Sequence, residues 1–345
     1  MRFAFSDQQL EFRDAVRQVL DKECTTDHLR AAYAAPAART PRWATLADLG
    51  VTGLTVPEDH GGLGLDGLDL VLLLEESGRV ALPEPLVETT ALAAPLLAGA
   101  GREHADAWLA PIAGGGVAAA VGIGPGVTAG IAGAQGADLF LLEATGADGT
   151  ELHAVPASDV AAEPVPSLDP TRRLATVRWD PRPDTVVASG EDARSAADAV
   201  RARAAVATAA QLLGLADRMI TLAADYARER TQFGRPIGSF QAVTHLLAGA
   251  QVQLEFARPV VYGAAWAGAR DAPGAARLAS MAKATASDAA TEAARVSLQV
   301  HGAIGYTWEC DLHLFLMRAW ALAAAWGDAG HHRSLVLGSL VEDRA

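Results

Sequence analysis

The chain has 345 residues, of which 50% are hydrophobic and 20% charged, the balance of a folded soluble protein with room for two or three domains. Its net charge of -13 argues against a nucleic-acid-binding surface and against attraction to anionic lipid. The two cysteines have no metal-type spacing and indicate no oxidising compartment. Because the N-terminus lacks a secretory pattern and glycines break the apolar stretch 117–131, we expect a cytoplasmic protein with no membrane span.

The first third of the chain has helical periodicity. Ser6 is a candidate N-cap, and Phe12, Val16 and Leu20 recur behind it at helical spacing, which predicts a helix to about Asp21. Further helical patterns cover 43–49, 67–80, 89–98 and 103–109. These patterns predict an N-terminal helical domain over residues 1–113.

Composition changes at Gly114, where short β-like runs replace the helical periodicity. The candidate strands, separated by Gly, Pro and Asp turns, are 117–123, 138–143, 151–155 and 173–179. We predict a small antiparallel β domain over 114–190. It is so short that helices or a partner chain must cover it.

From residue 191 to 345 the chain is alanine-rich and helical. Alanine favours helix and allows close helix contacts. The predicted helices are 192–230, 239–270, 273–302, 311–326 and 329–342. Ser239 is a candidate N-cap, and Pro259 predicts a kink. Long helices joined by short turns form a bundle, so the fold class is α+β and mostly α.

The run YARERTQFGRPIGSFQ, residues 226–241, joins the first two of these long helices. It places Arg228, Arg230 and Arg235 beside a helix start, and fixed arginines next to free backbone N–H groups suit an anion such as a pyrophosphate. Arginines in such a turn are usually solvated or salt-bridged, so this stretch alone does not decide between that reading and an anion site.

Three segments resemble the acyl-CoA dehydrogenase family, in the family's order. They are GVTGLTVPEDHGGLGLDGLDLVLLLEESGR at 50–79, RTQFGRPIGSFQ at 230–241 and QVHGAIGYTWECDLHLFLMRA at 299–319. The resemblance implies an N-terminal helical domain, a middle β domain and a C-terminal four-helix bundle. It also implies FAD as cofactor and the α,β-desaturation of an acyl-CoA thioester.

In this family one subunit's flavin is contacted by a neighbouring subunit. The resemblance assigns that role to two segments here. The implied FAD-binding residues are Arg230, Gln232, Phe233, Gln241, Gln299, His301, Gly302 and Ala303. Ala303 replaces the family's usual second glycine.

The family's catalytic glutamate is missing at both of its usual positions. Aligning the segment LMRA puts Gly327 at one position, and the other falls at Ala204 or Ala205. Asp328, one residue beyond Gly327, is open to two interpretations, as a displaced base or as the cap of the following helix. We interpret the adjoining doublet His331–His332 as a solvated helix start, with no metal-ligand pattern.

The flavin-ring side of the family's site is also missing. The threonine-rich turn and the Trp-containing strand of the family have no counterpart: Thr128 is the only hydroxyl in the 122–136 stretch, and Trp179 is the only tryptophan of the β domain, at its far end. The sequence thus keeps what it would give to a partner's flavin and lacks the base and the ring pocket.

The leading hypothesis is therefore a subunit of a hetero-oligomeric acyl-CoA dehydrogenase whose homologous partner supplies the glutamate. The resemblance implies an acyl-CoA substrate, with a steroid side chain as one candidate, and an electron-transfer flavoprotein as the family's electron acceptor. Two alternatives stay open. One is a self-sufficient homo-oligomeric dehydrogenase with Asp328 as base, and the other is a non-enzymatic scaffold without flavin.

Overall fold

The structure, a computed structural model, describes residues 4–35, 40–101, 103–124, 128–146 and 149–342. The chain divides into two compact units. The helical unit comprises Met1–Arg30, Val71–Leu82 and Ala205–Ala345, and the sheet unit comprises Ala31–Leu70 and Pro83–Ala204. The domain boundaries 1–113, 114–190 and 191–345 stay predictions.

The helices follow the predicted order closely. Their bounds are α1 Asp7–Glu23, α2 Thr26–Ala34, α3 Pro41–Asp48, α4 Gly67–Arg79, α5 Ala94–Ala100, α6 Glu103–Asp106, α7 Leu109–Ala113, α8 Gly190–Glu229, α9 Gln241–Gly268, α10 Ala275–His301, α11 Leu312–Ala324 and α12 Ala329–Glu342. A π-helical segment, Val87–Ala93, leads into α5. None of the helices in the described ranges is long and apolar enough to cross a membrane.

The start of α1 confirms the predicted N-cap. Ser6 Oγ accepts the backbone N–H of Gln9 at 3.2 Å, and Gln9 Oε1 accepts the N–H of Ser6 at 2.9 Å. This reciprocal pair satisfies two N–H groups that the helix itself leaves without acceptors. Val16 and Leu20 are buried, as their spacing predicts.

The cap predicted for α9 is wrong. The helix begins at Gln241 with Phe240 as N-cap, and the hydroxyl of Ser239 donates backwards to the carbonyl of Pro236 at 2.7 Å. A serine hydroxyl can bond to the turn before it as well as to the helix after it, and here the turn competes successfully. α9 then continues without interruption through Pro259.

Within the helical unit, α8 crosses α4 at backbone contact distance. A Cβ on Gly214 would lie 1.9 Å from the carbonyl oxygen of Glu75, and a Cβ on Gly78 would lie 2.0 Å from that of Gln211. The side-chain amide of Gln211 donates to Ser77 Oγ at 3.1 Å across the same crossing. Two glycines therefore set the distance between these helices.

The described residues of the sheet unit form six strands, two more than the sequence predicted. They are β1 Ala119–Gly122, β2 Leu139–Gly146, β3 Gly149–Pro156, β4 Ala161–Pro164, β5 Ala175–Arg178 and β6 Val186–Ser189. β4 was missed because all four of its residues are exposed, so no apolar alternation marks it. β6 is only four residues long and follows a Pro-rich turn.

The prediction of an antiparallel sheet is wrong at one edge. The main sheet has the order β1-β2-β3-β6, and β1 pairs with β2 in parallel while the other pairs are antiparallel. A parallel pair requires a crossover longer than a hairpin turn, and the chain between Gly122 and Leu139 is long enough to provide one. β4 and β5 form a separate two-stranded sheet.

The close approach at Gly214 yields a stability prediction. Gly214→Ala places a methyl group inside the van der Waals radius of the Glu75 carbonyl, so we expect it to lower the free energy of unfolding by about 3 kcal/mol. The matched control is Gly268→Ala in α9, where an added Cβ meets nothing within 4 Å. That change should instead stabilise the chain by about 0.5–1 kcal/mol, since alanine favours helix.

Urea unfolding followed by far-UV circular dichroism measures both variants. Equal stability of Gly214→Ala and the unchanged chain would show that α4 and α8 do not approach this closely.

Candidate functional site

The turn between α8 and α9 is a small, well-bonded hairpin. Thr231–Gln232 and Arg235–Pro236 form a two-stranded antiparallel pair. The N–H of Ile237 donates to the carbonyl of Arg230 at 2.8 Å and closes its base. Phe233, with a φ of 54°, stands at the tip and is 93% exposed. The hairpin therefore presents side chains outward from a fixed backbone.

The three arginines of this turn have different surroundings. Arg228 pairs with Asp225 at 2.5 Å, and Arg235 lies over the ring of Phe240 with its Cζ 4.1 Å from the ring centroid. Arg230 is exposed, and its guanidinium makes no hydrogen bond or ion pair with any residue in the described part of the chain. Of the two readings of this stretch, the salt-bridged one thus applies to Arg228, whereas Arg230 keeps its donors available.

The side-chain amides of Gln241 and Gln232 differ in their hydrogen bonding. Gln241, at the start of α9, is exposed and likewise has no side-chain partner among the described residues. Gln232 donates to the carbonyl of Thr231 at 2.8 Å.

The second predicted segment lies at the end of α10. The ring of His301 is buried and stacks on Tyr226 with a centroid distance of 4.6 Å. Its Nδ1 lies 2.8 Å from the carbonyl of Ser297, and because a carbonyl only accepts, Nδ1–H donates. Burial lowers the pKa of His301, which favours the neutral imidazole. His301 therefore ties the helix end to Ser297 and Tyr226, and its contact with FAD stays a prediction.

The residues flanking His301 are open. Gln299 and Ala303 are exposed, and a Cβ added to Gly302, whose φ is 62°, would meet nothing within 4 Å. Since Tyr226 lies one turn before Arg230, the stack between Tyr226 and His301 brings the two predicted segments to the same end of the helical unit.

The position aligned with the family's glutamate has a backbone conformation that favours glycine. Gly327 has a φ of 98°, and a Cβ there would lie 2.4 Å from His331 Cδ2. Its carbonyl accepts a hydrogen bond from Lys283 Nζ at 3.0 Å. The alternative positions, Ala204 and Ala205, are buried.

Asp328 caps α12. Its Oδ1 accepts the backbone N–H of His331 at 2.8 Å, and this bond lowers the pKa of the Asp328 carboxyl. A carboxylate that removes an α-proton needs the opposite shift, toward higher basicity. The geometry therefore gives Asp328 the features of a helix cap.

The interpretation of the doublet as solvated is wrong for His332. His331 is exposed, but His332 is buried, and its Nε2 lies 3.0 Å from the carbonyl of Trp326. Burial lowers the pKa of His332. The helical period turns adjacent residues to different faces, and this separates the two histidines.

Lys283, which carried no signal in the sequence, is fully buried in the middle of α10. Its Nζ bonds to Ser287 Oγ at 3.1 Å and to the carbonyls of Ala323 and Gly327, each at 3.0 Å. Ala323 lies in the last turn of α11, where a lysine also complements the helix dipole. The side chain thereby fixes the turn that contains Gly327.

Glu75 is a second buried group that sequence reasoning did not single out for chemistry. Burial raises the pKa of Glu75, as a general base would require. However, Tyr262 donates to one of its oxygens at 2.5 Å and Arg258 pairs with the other. Both oxygens are thus engaged within the helical unit.

In the sheet unit, the two residues that the sequence weighed for the flavin ring have different surroundings. The Trp179 ring contacts His153 with a centroid distance of 4.9 Å and packs against the buried cluster around Phe140. Thr128 is exposed, and its carbonyl accepts the N–H of Val177 at 2.7 Å. Residues 125–127, in the same stretch as Thr128, lie outside the described residues.

Comparison with known proteins agrees with this architecture. Residues 6–116 match the family described as "Acyl-CoA dehydrogenase, N-terminal domain", and residues 196–340 match "Acyl-CoA dehydrogenase, C-terminal domain". The chain is 33% identical over 313 residues to the acyl-CoA dehydrogenase IpdE2 of Mycobacterium tuberculosis, covering 89% of each. It is also 36% identical to the acyl-CoA dehydrogenase FadE34 of that organism, over 84% of this chain and 40% of that protein.

Solved structures confirm the predicted fold class. A chain from the ChsE4-ChsE5 complex of Mycobacterium tuberculosis superposes with a TM-score of 0.89 at 25% identity over 99% of both chains. Butyryl-CoA dehydrogenase of Megasphaera elsdenii gives 0.87 at 22% identity, over 99% of this chain and 100% of that chain. The family's cofactor is FAD, as the resemblance predicted. With matching domains at both ends and a relative that aligns over nearly its whole length, this chain belongs to the acyl-CoA dehydrogenase family.

Proposed function

We propose that this chain is the base-lacking subunit of a hetero-oligomeric, FAD-dependent acyl-CoA dehydrogenase. The observation that carries the proposal is Gly327, which stands where the family's glutamate is expected and whose φ of 98° is a backbone conformation that residues with side chains rarely adopt. A homologous partner chain would supply the carboxylate that removes the α-proton.

The residues of the α8–α9 hairpin and the α10 end fit the nucleotide part of FAD. Arg230 offers a guanidinium fork that has no partner among the described residues, and such a fork binds phosphate oxygens in a bidentate way. Gln241 and Gln299 offer exposed amides, and Gly302 leaves space for close backbone approach. When bound, FAD supplies the acceptor for the substrate hydride. The role of this chain is to bind the pyrophosphate and adenosine, with His301 fixing the helix end through Ser297 and Tyr226.

Exposed apolar side chains on two helices support a partner chain. On α9 these are Leu246, Val252 and Phe256, the last 71% exposed, and on α12 they are Leu335, Leu337, Leu340 and Val341. Large apolar groups grouped on one element and open to water are typical of an interface. The structure of the ChsE4-ChsE5 complex and the one described as "Tcur3481-Tcur3483 steroid ACAD G363A variant" are each named for two proteins. This supports a partner of a different sequence for the present chain.

The proposed substrate is an acyl-CoA thioester, and the name of the second of these structures supports a steroid side chain as its acyl group. The electron acceptor implied by the family resemblance, an electron-transfer flavoprotein, is part of the same proposal.

Purification alone and together with a homologous, glutamate-bearing partner tests the division of roles. We expect the lone chain to show no acyl-CoA-dependent reduction of a dye acceptor, because the described part of the chain offers no available carboxylate of raised pKa. The complex should be yellow and active. Full flavin content and turnover in the lone chain would overturn the proposal, and a colourless complex would indicate the flavin-free scaffold.

Asp328→Asn in the complex separates a helix cap from a base. Because asparagine also caps helices, we expect the turnover number to stay within about twofold and the unfolding free energy to fall by less than about 1 kcal/mol. Steady-state kinetics and thermal unfolding measure the two effects. If this single change abolished turnover while the flavin stayed bound, Asp328 would be the base, and the self-sufficient enzyme would be the correct reading.

Arg230→Gln tests the nucleotide contact. Loss of one charge-assisted pair to a phosphate should weaken FAD binding to the complex roughly 10- to 100-fold. The matched control is Arg228→Gln. Arg228 lies two residues before Arg230 and carries the same charge, but its side chain is already paired with Asp225. Titration of the apo-complex with FAD, followed by flavin fluorescence, gives both affinities. Equal losses in the two variants would point to a general charge effect and not to a specific contact.

A further inference from the structure

The helical unit contains a cavity of about 250 Å³ that the flavin proposal does not use. It lies where the end of α1, the start of α2 and the end of α4 meet Arg218 in the second half of α8 and Phe315 in the first turn of α11. The side chains that matter in its wall are Asp21, Cys24, Arg79, Arg218 and Phe315. Its volume exceeds the roughly 150 Å³ of an engineered cavity that holds benzene, so it can hold a small molecule.

Arg218 lines this cavity without a polar partner. It is half-buried in α8, and its guanidinium makes no hydrogen bond or ion pair with any residue of the described ranges. Its Cζ lies 5.5 Å from the centroid of the Phe315 ring, which contributes an apolar contact and a cation–π attraction. A partly desolvated guanidinium without an acceptor is unfavourable, and a bound anion would relieve that cost.

The neighbouring charges do not neutralise Arg218. Arg79 donates to Asp21 at 2.6 Å and to Glu76 at 2.7 Å, so the one carboxylate in the cavity wall is already paired. Burial lowers the pKa of Arg218, and the charge of Arg79 lowers it further, whereas Asp21, Asp225 and Asp311 have smaller effects in the other direction. The cavity therefore has an excess of positive charge in a chain that is strongly acidic overall.

We propose that this cavity binds a small oxyanion, a carboxylate or a phosphate, through the guanidinium fork of Arg218. A planar fork matches two oxygens of either group. Phe315 and Val80 provide an apolar wall for the short body of such a ligand. Sites for drug-sized ligands occupy roughly 300–1,000 Å³, so the ligand is smaller than a flavin or coenzyme A.

Isothermal titration of the full chain with inorganic phosphate and, separately, with butyrate tests the proposal at constant ionic strength. At least one probe should bind saturably, and which one binds distinguishes the two sources of the oxyanion. Arg218→Gln should weaken that binding about tenfold or more, since it removes a charge-assisted fork. Arg194→Gln is the matched control: it removes the same charge from the same helix, but from an exposed side chain paired with Glu191.

A second readout uses the unchanged chain, so it does not depend on how the variant folds. The Nε–H resonance of Arg218, assigned by comparison with Arg218→Lys, should shift along the same titration with the same midpoint. Without added anion, Arg218→Gln should unfold at a temperature no lower than the unchanged chain, because it removes an unpaired charge. Absence of saturable binding for both probes, equal binding in Arg218→Gln and Arg194→Gln, or an unmoved Arg218 resonance would each overturn the proposal.

Discussion

The hydrogen bonds of Lys283 are the constraint on which the proposed role of this chain depends. A fully buried lysine is tolerated only where oxygen acceptors replace water, and here Ser287 and the carbonyls of Ala323 and Gly327 do so. The bonds tie the middle of α10 to the end of α11 and to the turn that follows. In this turn Gly327 has a φ of 98°, and an added Cβ would meet the exposed His331 ring. The missing glutamate therefore coincides with a backbone conformation that favours glycine.

The α8–α9 hairpin and the end of α10, where we propose that the nucleotide binds, differ from the turn at Gly327 because they leave side chains exposed. The stack of Tyr226 on His301 and the bond from Ser297 Oγ to the carbonyl of Met219, 2.9 Å long, hold α8 against α10. Beyond these contacts, the side chains of Arg230 and Gln299 have no partner among the described residues, and a Cβ on Gly302 would meet nothing within 4 Å. A rigid support with free donors at its tip is what a binding site needs, since the ordering of the scaffold is complete before the ligand arrives. The contrast between an open donor set and a base position that favours glycine is the physical basis for assigning two roles to two chains.

Much of this fold could be predicted from the sequence, because residues near each helix end determine where the helix begins or ends. The capping box at Ser6 and Gln9 and the glycine-rich hairpin after α8 are decided by residues within one or two turns. The predictions were wrong where the structure of a segment depends on contacts that local periodicity does not show. Ser239 bonds to the turn instead of the helix, β1 pairs in parallel with a strand seventeen residues further along, and β4 has no buried face. Periodicity carries no information about such pairings.

The candidate site divides along the same line. The hairpin and the α10 segment could be found because they are contiguous motifs. Lys283 and Arg218 could not be found, because each lies in an ordinary helical pattern and only tertiary packing tells them apart from solvated residues. The charged groups of these two residues have different partners. Lys283 is supplied with three oxygens by its own chain, whereas Arg218 is given an aromatic ring and a cavity. A partly buried positive charge needs an acceptor. Lys283 has its acceptors within the chain, whereas Arg218 has none among the described residues, so we assign the acceptor of Arg218 to a ligand in the cavity. The same reasoning links this cavity to Arg230: in both places the proposed ligand is an anion, and the guanidinium has no partner among the described residues. In an acidic chain, such binding depends on local geometry and not on net charge.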